Sequence, residues 1–280
     1  MSLLRKPLAL GLGALERIAP GATARLAARM YITPPKRRPM TAEERRLFDT
    51  APKSTITFRE HVMPYWSWES GSGPRVLMVH GWGVGPGLFT PMIDRLVSAG
   101  FRVSTYCGVA HFEGSVKRTT GMTLVHALRH VISEKGPFDV LIGHSLGAAT
   151  IISAGKLGIQ TGKIVLLSSV TDLVENTDVF GRHLGLSKSN MAQARKLIWQ
   201  QYLEDCAPLG ADWDEMYDSQ LSIPTLLLHD RSDPVLGIHH SQRMLEKWPN
   251  SRLVLTDGLG HFKLPRDPGT LKTIVEFLQA

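Results

Sequence analysis

Only two cysteines occur in the 280 residues, Cys107 and Cys206, 99 positions apart. So few can build neither a disulfide framework nor a cysteine zinc cluster, and the pattern fits a reducing compartment. Extreme composition is also missing. With 43% hydrophobic and 20% charged residues, the chain is neither disordered nor fibrous, and its length suits one large or two modest domains. There is no internal repeat and no low-complexity tract. No G-x-G-x-x-G follows a strand and no H-E-x-x-H is present, so no cofactor and no metal is expected. Acid is nearly absent from the head of the chain. Residues 1–39 hold eight of the 32 basic side chains but one of the 25 acidic ones, Glu16, which leaves 24 of each sign beyond residue 39. The net charge of +7 therefore sits entirely in the head. A neutral body argues against a nucleic-acid partner.

Within that head, Leu4, Leu8, Leu12 and Leu15 share one side of a helix, and Pro7 is tolerable in its first turn. Pro20-Gly21 interrupts the pattern, and Pro34, Pro35 and Pro39 end a second helix near Tyr31. The longest uncharged run there, Pro7 to Leu15, is far short of the roughly 20 residues a spanning helix needs. Ala22-Thr23-Ala24 resembles a secretory cleavage site, but Glu16 and Arg17 precede it, so secretion is the weaker reading beside a cytoplasmic one. Two uses of residues 1–39 stand side by side: a cationic amphipathic segment lying peripherally on an anionic membrane, and a helical arm packed on the body.

Residues 1–53 read as this basic arm, and from residue 54 the texture changes. Short β-rich runs, Thr55–Met63, Tyr65–Glu69, Arg75–His80, Phe101–Cys107, Phe138–Gly143, Lys163–Ser168, Pro224–His229 and Arg252–Thr256, alternate with helix-length stretches. Those stretches are Pro91–Ala99, Thr123–Lys135, Leu146–Leu157, His239–Trp248 and Gly269–Leu278. Runs such as Val76-Leu77-Met78-Val79 and Ile164-Val165-Leu166-Leu167 are apolar without alternation, as strands buried on both faces are. The pattern predicts an α/β fold with a doubly wound, mostly parallel sheet over residues 54–280. Residues 170–222 contain no strand signal. An insertion of that size is a candidate lid, with one helix over Ser189–Glu204 capped by Ser187 or Ser189.

Gly143-His144-Ser145-Leu146-Gly147 lies where an apolar strand gives way to a helix. A serine on so sharp a turn takes strained backbone angles, and small residues two before and two after relieve the crowding. Its hydroxyl is then lifted toward the helix N-terminus, where free N–H groups point outward. Such a serine needs a base. In sheets of this kind an acid and then a histidine follow it along the chain. Of His183, His229, His239, His240 and His261, the last stands in Gly260-His261-Phe262 just past the final strand and is the candidate base. Asp233, in the loop after the preceding strand, is favoured over Asp230 as the orienting carboxylate, with Asp230 left to brace the loop. The backbone N–H groups of Leu146 and of Trp82, in His80-Gly81-Trp82-Gly83, are candidate oxyanion donors, and His80 reads as a turn brace.

These motifs resemble the α/β-hydrolase fold superfamily across roughly residues 54–280: His80-Gly81-Trp82-Gly83, the Gly143–Gly147 elbow, Asp233-Pro234-Val235 and Gly260-His261-Phe262 occur in that family's order. More narrowly the chain is similar to bacterial hydrolases with a basic N-terminal arm and a G-H-S-L-G-A-A elbow. One segment departs: Tyr106–Ser115 lacks the Asp-x-Pro-x-His-Gly turn common after that strand in relatives, and that loop borders their active sites. The resemblance implies two-step acyl transfer on a small-molecule carboxylic ester through a Ser145-His261-Asp233 triad. Thioesters, lactones, carbon–carbon bonds next to a ketone and transfer to other acceptors are alternatives on the same triad, and a non-catalytic binding protein on a hydrolase scaffold is a further one. Trp199, Tyr202, Trp213, Met216 and Tyr217 of the insertion are candidates for an apolar acyl pocket, or else simply pack the insertion on the body.

Overall fold

The apolar runs become the strands of one sheet. A computed structural model describes residues 5–36, 38–111, 116–206 and 221–280. In it β1 (Lys53–Phe58), β2 (His61–Trp68), β3 (Arg75–Val79), β4 (Arg102–Tyr106), β5 (Val140–His144), β6 (Lys163–Leu167), β7 (Thr225–Asp230) and β8 (Ser251–Thr256) pair in the order β1-β2-β4-β3-β5-β6-β7-β8. β1 with β2 and β2 with β4 are antiparallel, and every other neighbour is parallel. The run Thr55–Met63, expected as one strand, is a hairpin corner instead. Phe58 pairs with His61, and Arg59 takes a positive φ of 53° to turn the chain in two residues.

Alternate residues of each central strand serve opposite cores, which is why those strands read as unbroken apolar runs. Leu77, Leu141, Ile164, Leu166 and Leu227 join one cluster, while Val76, Met78, Ile142, Val165 and Leu226 join the other. The first face is covered by α5 (Gly121–Lys135), α6 (Leu146–Lys156) and α9 (His239–Lys247). The second is covered by α3 (Ala42–Phe48), α4 (Thr90–Ser98) and α11 (Pro268–Gln279). Because β3, β5, β6, β7 and β8 run parallel, the loops that follow them open at one edge of the sheet, where an α/β fold places its site.

Over that arrangement sits a helical layer built from two distant parts of the chain. The head forms α1 (Arg5–Ile18) and α2 (Pro20–Tyr31), broken where Pro20-Gly21 predicts. The insertion supplies α7 (Leu173–His183) and α8 (Lys188–Cys206), the latter entered through a bond from the Asn190 N–H to Ser187 Oγ at 3.2 Å. α7, which sequence periodicity did not single out, starts at Asp172, whose carboxylate accepts the Glu175 N–H at 2.8 Å. α2 packs along α8 and reaches α7. Tyr31 donates to Asn176 Oδ1 at 2.8 Å and stacks edge-on with Phe180, while Asn190 donates to the Pro20 carbonyl at 2.8 Å. The inner face of the arm is therefore packed on the insertion. Leu4 lies outside the described residues, Leu12 is buried and Leu15 stands at the exposed side of α1.

The arm then returns to the body through Glu44, whose carboxylate is almost fully buried. It closes a capping box with Thr41, holds Arg38 with bonds of 2.8 and 2.5 Å, and faces Arg266 at 3.5 Å. Burial opposes its ionisation, but the bonds from Arg38 and Thr41 outweigh that and hold its pKa below the ordinary carboxylate value. Glu44→Ala would strand these donors. A loss of about 1–3 kcal/mol is expected in urea unfolding, and an unchanged midpoint would show that the junction carries no stability.

Candidate active site

Ser145 lies between β5 and α6 with φ 55° and ψ −121°, a conformation that non-glycine residues rarely adopt. The turn is held by the Ser145 N–H donating to the Leu167 carbonyl of β6 at 2.9 Å. Its tightness explains the flanking glycines. A Cβ on Gly147 would lie 2.2 Å from the Val79 carbonyl oxygen, and one on Gly143 2.6 Å from the Ala148 Cα. The Ser145 side chain does not cap the helix it starts.

The turn after β3 comes directly against this serine, since β3 and β5 are sheet neighbours. A Cβ on Gly81 would stand 2.9 Å from the Ser145 Cβ, so only a glycine lets the two backbones approach this closely. Trp82 follows Gly81 directly in this turn, and Leu146 follows Ser145. The turn is braced by a pair of histidines. His80 donates from Nδ1 to the Gly81 carbonyl at 2.9 Å and accepts the Gly108 N–H on Nε2 at 3.0 Å. His111 donates from Nδ1 to the Val109 carbonyl at 2.9 Å and accepts the Gly83 N–H on Nε2 at 3.1 Å. Each ring acts as donor on one nitrogen and acceptor on the other, a pattern open only to neutral imidazole. His111 also packs edge-on to Trp82, with ring centroids 5.3 Å apart. The loop that departs from the expected turn after β4 therefore supplies the second brace, which motif reading passed over.

His261 follows β8 at the start of the short helix α10 (Gly260–Lys263). His144 Nε2 donates to the His261 carbonyl at 2.9 Å, and their rings lie 4.7 Å apart, so the loop after β8 is stitched to the residue next to Ser145. On the other side the His261 Nδ1 donates to Asp233 Oδ2 at 2.8 Å. Asp233 Oδ1 accepts the N–H groups of Val235 and Leu236 at 2.8 and 3.0 Å, and both Asp233 and His261 are buried. Burial resists its charge, but the bond from His261 and the two backbone donors prevail and hold the Asp233 pKa down at about 2.

Asp230 points elsewhere. It accepts from Ser232 N–H and Oγ, Thr256 Oγ1 and the Leu259 N–H, at 2.6 to 3.0 Å, lacing together the loops after β7 and β8. Of the other downstream histidines, His229 is buried against Ser241 and the Leu236 carbonyl. His239 and His240 begin α9, and His183 bonds within α7 at the Val179 carbonyl.

The expected acyl pocket fares differently. Trp213, Met216 and Tyr217 lie outside the described residues. Tyr202 is a core residue rather than a pocket wall. It is 3% exposed, and its hydroxyl is taken by the Gly121 N–H at 3.0 Å. α8 turns that side toward α5, and Trp199 packs beside it against the same cluster. A cavity of about 300 Å³ instead lies between Gly83, Val84, Leu88, Phe262, Arg266 and the arm residue Arg38. Phe262, half exposed and edge-on to His261, borders it, and an aromatic directly after that histidine is the sequence signal for this wall. Among the described residues one group could hold a cation: Glu175, His239 and His240, with donor atoms within 4.8 Å of one another. It shares no residue with the Ser145 cluster and joins α7 to α9 through a 2.9 Å bond from His239 to Glu175.

A sequence model of the alpha/beta hydrolase family matches residues 76–270. No curated protein matches the chain. Among solved structures, the fold is similar to an esterase of Pyrococcus furiosus (19% identity, TM-score 0.67, covering 89% of this chain and 96% of that one). It is similar to a serine hydrolase involved in carbazole degradation (18%, TM-score 0.60, covering 82% and 99%). It is also similar to a thioesterase domain from the curacin biosynthetic pathway (16%, TM-score 0.59, covering 82% and 99%). At these identities the likeness concerns the fold.

Three histidines near this edge are buried in the neutral form. Burial, reinforced by neighbouring His261, lowers the His144 pKa to about 3; burial and His239 lower that of His240 to about 4; burial also lowers that of His229. Each has a folded pKa below its unfolded one, so its stabilising effect is complete above about pH 6.5 and is lost as pH falls toward the folded value. Urea unfolding at pH 7, 6 and 5 should show stability falling as pH drops below about 6.5, by up to about 1.4 kcal/mol per pH unit for each of His144 and His240. Stability that is level across this window would contradict the neutral burial.

Proposed function

The chain belongs to the alpha/beta hydrolase family, and from that premise we propose that it is a serine hydrolase that cleaves carboxylic esters through an acyl-enzyme intermediate. Ser145 is the nucleophile, His261 the general base and acid, and Asp233 the carboxylate that orients it. The observation that carries this reading is the buried Asp233–His261 pair, bonded at 2.8 Å and tied through His144 to the strained turn that bears Ser145.

The bond between His261 and Asp233 supports the first step. With Nδ1–H committed to Asp233, neutral His261 keeps its lone pair on Nε2, the nitrogen that takes the Ser145 proton as Oγ bonds to the ester carbonyl carbon. The carbonyl electron pair moves onto oxygen, where the N–H groups of Leu146 and Trp82 are the donors proposed to receive it. Collapse breaks the bond to the alkoxy oxygen, which leaves as the alcohol with the proton from His261. Water then loses a proton to the same nitrogen, adds to the acyl carbon, and releases the acid and Ser145. An ester is favoured over an amide because an alkoxide leaves more readily than an amine. No step needs a metal or an organic cofactor.

Hydrolysis of p-nitrophenyl acyl esters should fall by several orders of magnitude in Ser145→Ala and in His261→Ala, since such residues act as a unit. Labelling by a fluorophosphonate probe should vanish in Ser145→Ala, and retained labelling would remove Ser145 as the nucleophile. Asp233→Asn is expected to lower kcat more than Asp230→Asn, whose effect should appear chiefly in unfolding, because Asp230 bonds loops rather than His261. The opposite order of kcat values would overturn the acid assignment.

A further inference from the structure

The helix α1 is apolar on two sides, and the fold uses only one of them. At about 100° per residue, the inward arc of α1 contains Leu12, which is buried, and Ala9 and Gly13, which approach Gly185 in the turn between α7 and α8. Glu16 shares this inner side and bonds both the N–H and the hydroxyl of Ser187. The outward arc holds Leu10, Ala14 and Ile18 within about 80° of one another, with Leu15 beside them. Leu10 is 76% exposed and Ile18 84%, and both lie on this arc, where a shared exposed apolar surface points to a partner. The outer side of α2 continues the surface with Leu26 between exposed Arg25 and Arg29, and Arg17 edges the apolar arc on α1. None of these three arginines forms an ion pair with a described residue. The one acid of the head is thus turned inward onto Ser187, and the outward surface of α1 and α2 combines leucine and isoleucine with guanidinium groups and no carboxylate.

We propose that the outward face of residues 5–31 docks on the surface of an anionic phospholipid bilayer, with Leu10, Ile18 and Leu26 entering the acyl boundary and Arg17, Arg25 and Arg29 meeting lipid phosphates. The charge selects this occupant. The head carries +7 while the rest of the chain balances at zero, so a second copy would set like charges against each other, whereas an anionic bilayer complements both the cations and the exposed apolar arc. The helices are too short to cross: no helix among the described residues is long and apolar enough to span a membrane. They lie in the plane of the interface, held from behind by the insertion. The inference goes beyond the ester chemistry and does not depend on it.

Co-sedimentation of the full chain with phosphatidylcholine vesicles containing phosphatidylserine tests it, beside pure phosphatidylcholine. The protein should pellet with the anionic vesicles, bind at least about tenfold more weakly to the neutral ones, and be released by high salt. The double variant Leu10→Glu, Ile18→Glu alters side chains already in solvent and should fold with an unchanged melting temperature. Its partitioning should weaken at least about tenfold, and Arg25→Glu, Arg29→Glu should do the same. Ser145→Ala should bind as the parent does, which separates a failure of docking from a failure of the hydrolase reading. A parent protein left in the supernatant, equal pelleting of the double variants, or a salt-resistant dimer in sedimentation velocity that Leu10→Glu, Ile18→Glu dissolves would each overturn the proposal.

Discussion

The bond from His144 Nε2 to the His261 carbonyl is the constraint on which the site rests. It joins residues 117 positions apart and fixes the loop after β8 against the turn after β5. Neither loop has a regular ladder at this point, so their relative placement depends on a few buried polar contacts. The contact has a cost: His144 is completely buried with its Nδ1 lacking a partner, next to Gly81, where a Cβ would come within 3.2 Å of that nitrogen. A buried imidazole with one unsatisfied nitrogen is tolerated only where its other bond is worth more than the desolvation. The same crowding keeps any side chain off Gly81, and so the turn carrying Trp82 stays close to Ser145.

Around this contact the loops are held chiefly by hydrogen bonds, many of them to backbone, with the exposed Arg231–Asp257 pair at 3.5 Å beside them. Asp230 fastens the loops after β7 and β8, two backbone N–H groups hold one oxygen of Asp233 so that the other is aimed at His261, and His80 and His111 clasp the turn after β3 to the loop after β4. Most are at least partly buried, where a charge-assisted bond is stronger than in water and a misplaced one more expensive. Preorganisation of this kind is what the proposed acyl transfer would require, because donors that are already aimed need not reorient as charge develops.

The helical layer above the sheet shows a different economy. The two helices of the insertion among the described residues, α7 and α8, are packed against α2 from the head of the chain. The arm is thus part of the packed structure on its inner side, while its outer side remains apolar and cationic. A segment read from sequence as either packed or lipid-facing is packed on its inner side, and its outer side is the face proposed above to meet lipid.

How much of this could be read in advance follows from the range of each interaction. Apolar runs such as Val76–Val79 announce strands buried on both faces because burial acts residue by residue along the chain, and β3, β5, β6 and β7 lie where those runs place them. The Gly143–Gly147 elbow is equally local: the strain at Ser145 and the approach of Gly147 to Val79 are met within one turn and its neighbouring strand. The hairpin corner at Arg59 escaped, since a polar residue at positive φ leaves no periodic mark, and so did α7, whose amphipathic pattern is short. The sequence by itself determined the sheet, the turn that carries the serine, and the order in which acid and histidine return to it. Only the tertiary structure decided that Asp233 rather than Asp230 meets His261, that Tyr202 belongs to the core, that His111 braces the turn at Gly83, and that Glu16 turns inward. Each of those outcomes depends on the position of a partner dozens of residues away along the chain, which no local pattern encodes.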